Sequence, residues 1–169
     1  MDKQSLFFTS LVAVISTALM LAAINFLAKK QNLKSQIEQK ISISFSIWTS
    51  SIMVAFFLFL KVALELIENS IELIIYSNTI ETTFLSVMEK IMIFTGFTFI
   101  VTFVSYFIVH SLIKFSFGNS NDSIEMEKDN KGYFLIKAFV LIMLAFSLIP
   151  IYQDFLGWFE IKVETPFYH

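Results

Sequence analysis

Long neutral apolar runs separated by short charged connections dominate the chain. From Leu6 to Ala28 no residue carries a charge, and Lys3 and Lys29-Lys30 bound the run. Similar runs cover Ile41 to Leu60 and Ile91 to Ile113, the latter with only His110 as a titratable guest. A fourth, Tyr133 to Tyr152, holds Lys137 in its first turn and Pro150 near its end. Each reaches the ~20 residues needed to cross ~30 Å of hydrocarbon as an α-helix. The pattern therefore predicts an all-α integral membrane protein with four membrane-spanning helices. The first run exceeds the apolar part of a signal peptide and starts with one Lys balanced by Asp2, so it is read as a retained span.

The connections differ in kind. Residues 116–132 contain GNSNDSIEMEKDNKG, dense in Gly, Asn, Ser and Asp, and read as an exposed polar loop. Lys29 to Lys40 reads as a shorter polar connection that permits a brief amphipathic helix. After the second run, KVALELIENSIELIIY keeps helical periodicity, with Lys61, Glu65, Glu68 and Glu72 on one face, so the second helix is predicted to run to Tyr76. Ser77-Asn78, with Glu81 three residues later, resembles a capping box that starts a third helix over 79–115, of which 91–113 lies in the membrane. Spans two and three then form one long hairpin. The predicted fold is an antiparallel four-helix transmembrane bundle forming a single membrane domain, with Pro150 read as the terminator of span four and an interfacial tail over 153–169.

Composition agrees. The 169 residues are 56% hydrophobic and 15% charged, with mean hydropathy +0.73, against ~25% charge in soluble domains. A net charge of −2 and the lack of a basic stripe exclude nucleic-acid binding. All basic residues are Lys, which removes bidentate guanidinium recognition, and the lack of Cys removes thiol chemistry. Lysines set the orientation. Lys29, Lys30, Lys34, Lys40, Lys114, Lys128 and Lys131 flank one side, and Lys3, Lys61, Lys90 and Lys162 the other. By the positive-inside rule both termini and the hairpin tip are expected outside, in a bacterial inner (plasma) membrane.

Polar residues inside the runs are the candidate functional groups. Thr95, Thr98, Thr102 and Ser105 share one face of span three, beside Gly96. Ser46, Thr49 and Ser50 make a comparable stripe in span two. Such stripes serve as helix-packing seams or, in an oligomer, as the lining of a water or ion path. Lys61 and Glu65 form an i,i+4 pair at the membrane edge, and Glu65, Glu68 and Glu72 could ring a cation-attracting vestibule. His110, one turn before Lys114, is either an interfacial polar residue or a pH-sensing group. Lys137 is expected to reach back to the interface and meet a lipid phosphate.

The catalytic inventory is thin, because there is no phosphate loop, nucleophile elbow or pair of histidines at metal-ligand spacing. No cofactor is expected. The sequence reads as a non-catalytic homo-oligomeric membrane subunit, either a small ion-conducting pore or the membrane part of a larger complex. Two alternatives are a sensor or anchor docking a cytoplasmic effector, as in bacterial defence or toxin-immunity pairs, and a small transporter or accessory subunit. The expected partners are the lipid bilayer, further copies of the chain and a cytoplasmic protein.

Overall fold

The computed structural model describes residues 3–33, 36–37, 40–76, 83–118 and 121–160. Their elements are α1 (Lys3–Lys30), β1 (Gln36–Ile37), β2 (Lys40–Ile41), α2 (Ile43–Tyr76), α3 (Thr83–Ser116), α4 (Asp122–Glu127) and α5 (Lys131–Gly157). Among these residues four helices, α1, α2, α3 and α5, are long and apolar enough to cross a bilayer. The proposed cap at Asn78 and Glu81 lies outside the described residues, as does the tail beyond Glu160.

Helix ends follow from local chemistry. α1 stops where Asn32 takes up φ +52, which lets Leu33 N–H reach Ala28 O at 2.9 Å and Asn32 N–H reach Lys29 O at 3.2 Å. This is a Schellman motif, with Asn tolerating the left-handed conformation. β1 and β2 then pair as a two-residue antiparallel ladder, Gln36 opposite Ile41. Ser42 caps α2 by accepting Phe45 N–H at 3.0 Å. At the far end of the chain, helix α5 continues through Pro150 to Gly157, so this proline does not terminate it. Proline removes one backbone donor, a loss that a long membrane helix tolerates.

α2 is the helix on which the other three pack. Fully 56% of its most apolar stretch is buried, against 22 to 33% for the other long helices. Its inward face carries Trp48, Ile52, Phe56, Phe59, Ala63 and Ile67. Trp48 meets Tyr106 of α3 edge-on at 6.1 Å, Phe56 meets Phe99 of α3 at 5.2 Å, and Phe59 meets Tyr152 of α5 edge-on at 5.2 Å. Aromatic pairs in these geometries contribute beyond their area. The outer faces of α1, α3 and α5 expose apolar side chains such as Phe26, Ile100 and Phe139. Inside and outside are therefore both apolar, as in a helix solvated by acyl chains.

Candidate functional site

Among the described residues, most side-chain hydrogen bonds between residues distant in sequence gather where α1 and α3 stop and α2 and α5 start. There residues 121–130, expected as an exposed loop, fold into α4 and its two caps. Asn121 caps α4 by accepting Ser123 N–H at 3.1 Å. The helix ends in a second Schellman motif, with Asp129 at φ +47, Asn130 N–H on Glu125 O and Asp129 N–H on Met126 O, both at 3.0 Å. That turn aims Asp129 at the start of α2. Its Oδ1 accepts Ser44 N–H at 2.9 Å and the Ser42 hydroxyl at 3.2 Å. A carboxylate at a helix N-terminus is favoured by the exposed amides, and the Ser44 amide first among its partners holds Asp129 below the usual carboxylate range. Asn130 in turn caps α5 through Tyr133 N–H at 3.2 Å.

Asp122, the first residue of α4, is 3% exposed. Its Oδ1 accepts the Tyr133 hydroxyl at 2.7 Å. Its Oδ2 faces the Lys137 ammonium, which is equally buried, and lies 3.2 Å from His110 Nδ1 and 3.4 Å from the Tyr106 hydroxyl. Burial alone would raise the carboxyl pKa, but the Lys137 charge and hydrogen bond, with the Tyr133 hydroxyl, outweigh that and hold it below the ordinary range. Lys137 also reaches His110 Nδ1 at 3.0 Å and stands 5.0 Å from the centroid of the Tyr106 ring. Tyr106 extends the network to the remaining helices, donating to Gln31 Oε1 at 3.0 Å and accepting Trp48 Nε1–H at 3.3 Å.

Two expectations change here. Lys137 turns inward to Asp122 instead of reaching a lipid phosphate, because α4 brings a carboxylate against it and a buried ammonium without a counter-charge is costly. His110, lacking a carboxylate nearby in sequence, gains one from α4. Asp122, Tyr106, Gln31 and Trp48 were not singled out from sequence, and Tyr133 only as the start of the fourth run. The available signal was Lys137 itself, since an ammonium inside an apolar run calls for an acid, and Asp122 stands 15 positions before it.

The remaining candidates lie elsewhere. Thr98, Thr102 and Ser105 are buried. Thr98 and Thr102 donate back to Phe94 O and Thr98 O at 2.8 and 2.7 Å. The Tyr152 hydroxyl sits 2.8 Å from Thr98 Oγ1, which joins α3 to α5. Since the Thr98 proton is committed to Phe94 O, Tyr152 is the donor in that pair. The Thr49, Thr95 and Ser105 hydroxyl oxygens are shielded and make no hydrogen bond among the described residues. Ser46 and Ser50 are exposed, and Ser46 Oγ bonds back to Ser42 O at 3.1 Å. Lys61 and Glu65 form an exposed pair at 3.8 Å, and Glu72 accepts the Ser5 hydroxyl of α1 at 3.5 Å. Glu68 is half-buried. Tyr152→Phe should therefore cost about 0.6 kcal/mol, and no more than about 1.7, in unfolding measured in detergent micelles. A larger loss would mean that the Thr98 link is not an ordinary interhelical hydrogen bond.

Chemically, the cluster neutralises a cation and fastens helices. A cavity of about 360 Å³ lies beside it, lined by Ile113, Phe117, Glu125, Asn130, Gly132, Tyr133 and Ile136, but neither Asp122 nor Lys137 opens onto it. Among the described residues no cluster of His, Asp and Glu is arranged to hold a metal ion. No family model matches the chain, and neither a curated protein nor a solved structure matches it.

Proposed function

We propose that the chain is a non-catalytic, multi-span membrane subunit whose α4 end docks a soluble cytoplasmic partner. The observation that carries this reading is that residues 121–130 are tied to all four long helices. Ser123 Oγ donates to Asn32 O just past α1 at 3.1 Å, Asp129 caps α2, and Asp122 binds His110 and Tyr106 of α3 and Lys137 and Tyr133 of α5. A slack linker needs no such ties, whereas a surface that must keep one shape for a partner does.

The helices are read as an antiparallel bundle, with α1 and α3 running toward α4 and α2 and α5 away from it. The pairings of Trp48 with Tyr106 and Phe56 with Phe99 support that direction, because one number falls as the other rises. At 34 residues each, α2 and α3 reach ~51 Å, so ~20 Å of their hairpin would stand beyond a ~30 Å hydrocarbon core. The flanking lysines put α4 on the cytoplasmic side and both termini outside. The inward, internally bonded hydroxyls of Thr98 and Thr102 support a non-conducting role. The outward apolar faces of α1, α3 and α5 are suited to acyl chains or to further copies of the chain.

The test replaces residues 121–130 of a tagged chain by a Gly/Ser segment of equal length. The expected outcome is a protein that still resists carbonate extraction from membranes but no longer co-purifies with the cytoplasmic partner of the unaltered chain. Release by carbonate of the unaltered chain would remove the membrane reading, and unchanged co-purification would remove the docking surface.

A further inference from the structure

We propose that the cluster around His110 is a proton-operated clasp, in which protonation of His110 unfastens α4 from the ends of the long helices. This inference rests on the docking role of α4 and adds the signal that would control it.

The geometry sets one nitrogen between two opposite demands. His110 Nδ1 lies 3.0 Å from the Lys137 ammonium, which can only donate, and 3.2 Å from Asp122 Oδ2, which can only accept while ionised. A neutral ring with its lone pair on Nδ1 accepts from Lys137, and the cluster then balances one ammonium against one carboxylate. A ring protonated on both nitrogens turns an N–H toward the ammonium, and two cations must share a single carboxylate oxygen.

Of the neighbouring groups, Asp122 alone favours the protonated ring, and the others add to the imbalance or are indifferent to it. On α3 itself, Lys114 acts on the ring as a further cation, and Tyr106 stacks on it at 6.3 Å. From α4 comes Asp122 alone, and from α5 come Lys137 and, on the far carboxylate oxygen, the Tyr133 hydroxyl. Gln31 beyond α1 and Trp48 of α2 approach through Tyr106 and do not titrate. The His110 side chain is 29% exposed while those of Lys137 and Asp122 are 4% exposed, so a proton from water enters at His110. What gives way is the Asp122 hub, since Lys137 and His110 are carried on long helices and Asp122 on a six-residue one. The remaining ties of α4 are the Ser123 hydroxyl bond, the Asp129 cap and buried Met126.

Two reporters test the clasp in phosphatidylcholine nanodiscs. Trp158→Phe removes an exposed ring and leaves Trp48 as the only tryptophan. On acidification from about pH 7.5 to about 5.5, Trp48 emission should shift to the red and acrylamide quenching should rise about threefold, reversibly, and neither change should occur with His110→Gln. Because the chain has no cysteine, Met126→Cys on the buried side of α4 and Ile124→Cys on its exposed side can be alkylated singly. The ratio of the two rates should rise about tenfold at the lower pH, again only with His110 in place. The other histidine, His169, is present in both backgrounds and cannot produce the difference. Reporters that ignore pH, or that respond equally in His110→Gln, overturn the clasp. A pH-blind chain that still binds its partner through α4 sinks the clasp alone, and a pH-responsive chain that binds nothing sinks docking alone.

Discussion

Asp122→Asn should destabilise the protein by about 3–5 kcal/mol, because it leaves the Lys137 ammonium buried without its counter-charge. Lys137→Met should cost a similar amount for the mirror reason, an uncompensated buried carboxylate. The double variant Asp122→Asn with Lys137→Met should recover most of the loss, since removing both charges removes the desolvation cost together with the attraction. Denaturant unfolding of the four proteins in the same detergent gives the coupling directly, and additive losses would mean that the pair does not interact. The pH dependence has a definite sign. The folded Asp122 carboxyl is held below its ordinary value, so its contribution is fully present above the unfolded value of ~3.9 and is lost as pH falls through the lower folded value. In a His110→Gln background, the deficit of Asp122→Asn should therefore stay constant from about pH 8 to 5 and shrink only below about pH 4.

Trp48→Ala should cost about 3 kcal/mol. The ring is fully enclosed where α2, α3 and the polar cluster meet, and its loss empties that space and deprives the Tyr106 hydroxyl of a donor. In lipid the transfer term shrinks, because an unfolded span also keeps its aromatic rings out of water, but lost packing contacts and the cavity remain. Phe139→Ala offers the contrast. This ring faces outward, 62% exposed to whatever surrounds the helices, and its removal should stay within about 0.5 kcal/mol. Equal losses at the two positions would mean that Trp48 is not in a packed interior. Trp48→Phe should fall between them, keeping the packing of a ring while losing the N–H bond, worth about 1 kcal/mol.

The extents of the long helices were legible from the chain. Leu6 to Ala28 became Lys3–Lys30, the run from Ile41 to Tyr76 became Ile43–Tyr76, 79–115 became Thr83–Ser116, and Tyr133 to Tyr152 grew to Lys131–Gly157. The reason is physical: hydropathy is a sum over neighbouring residues, and a backbone without water to bond must close its hydrogen bonds within the segment, which leaves the helix as the local solution. The continuation of α2 past Leu60 was legible too, since Lys61, Glu65, Glu68 and Glu72 keep helical spacing in a segment with no breaker.

The direction in which a side chain points was a different matter. In helices that are apolar all round, no moment marks an inner face, so Thr98 turned inward and Ser50 outward for reasons that lie in their neighbours. Asp122 sits among Asn, Ser and Gly and looks solvated, and only its approach to Lys137 and His110 makes burial favourable. The sequence by itself determined where the long apolar helices run and which connections are polar, because those depend on adjacent residues. The tertiary structure alone decided that α4 closes over a buried ion pair, because a charge becomes tolerable inside a protein only when a partner distant in the chain is brought against it.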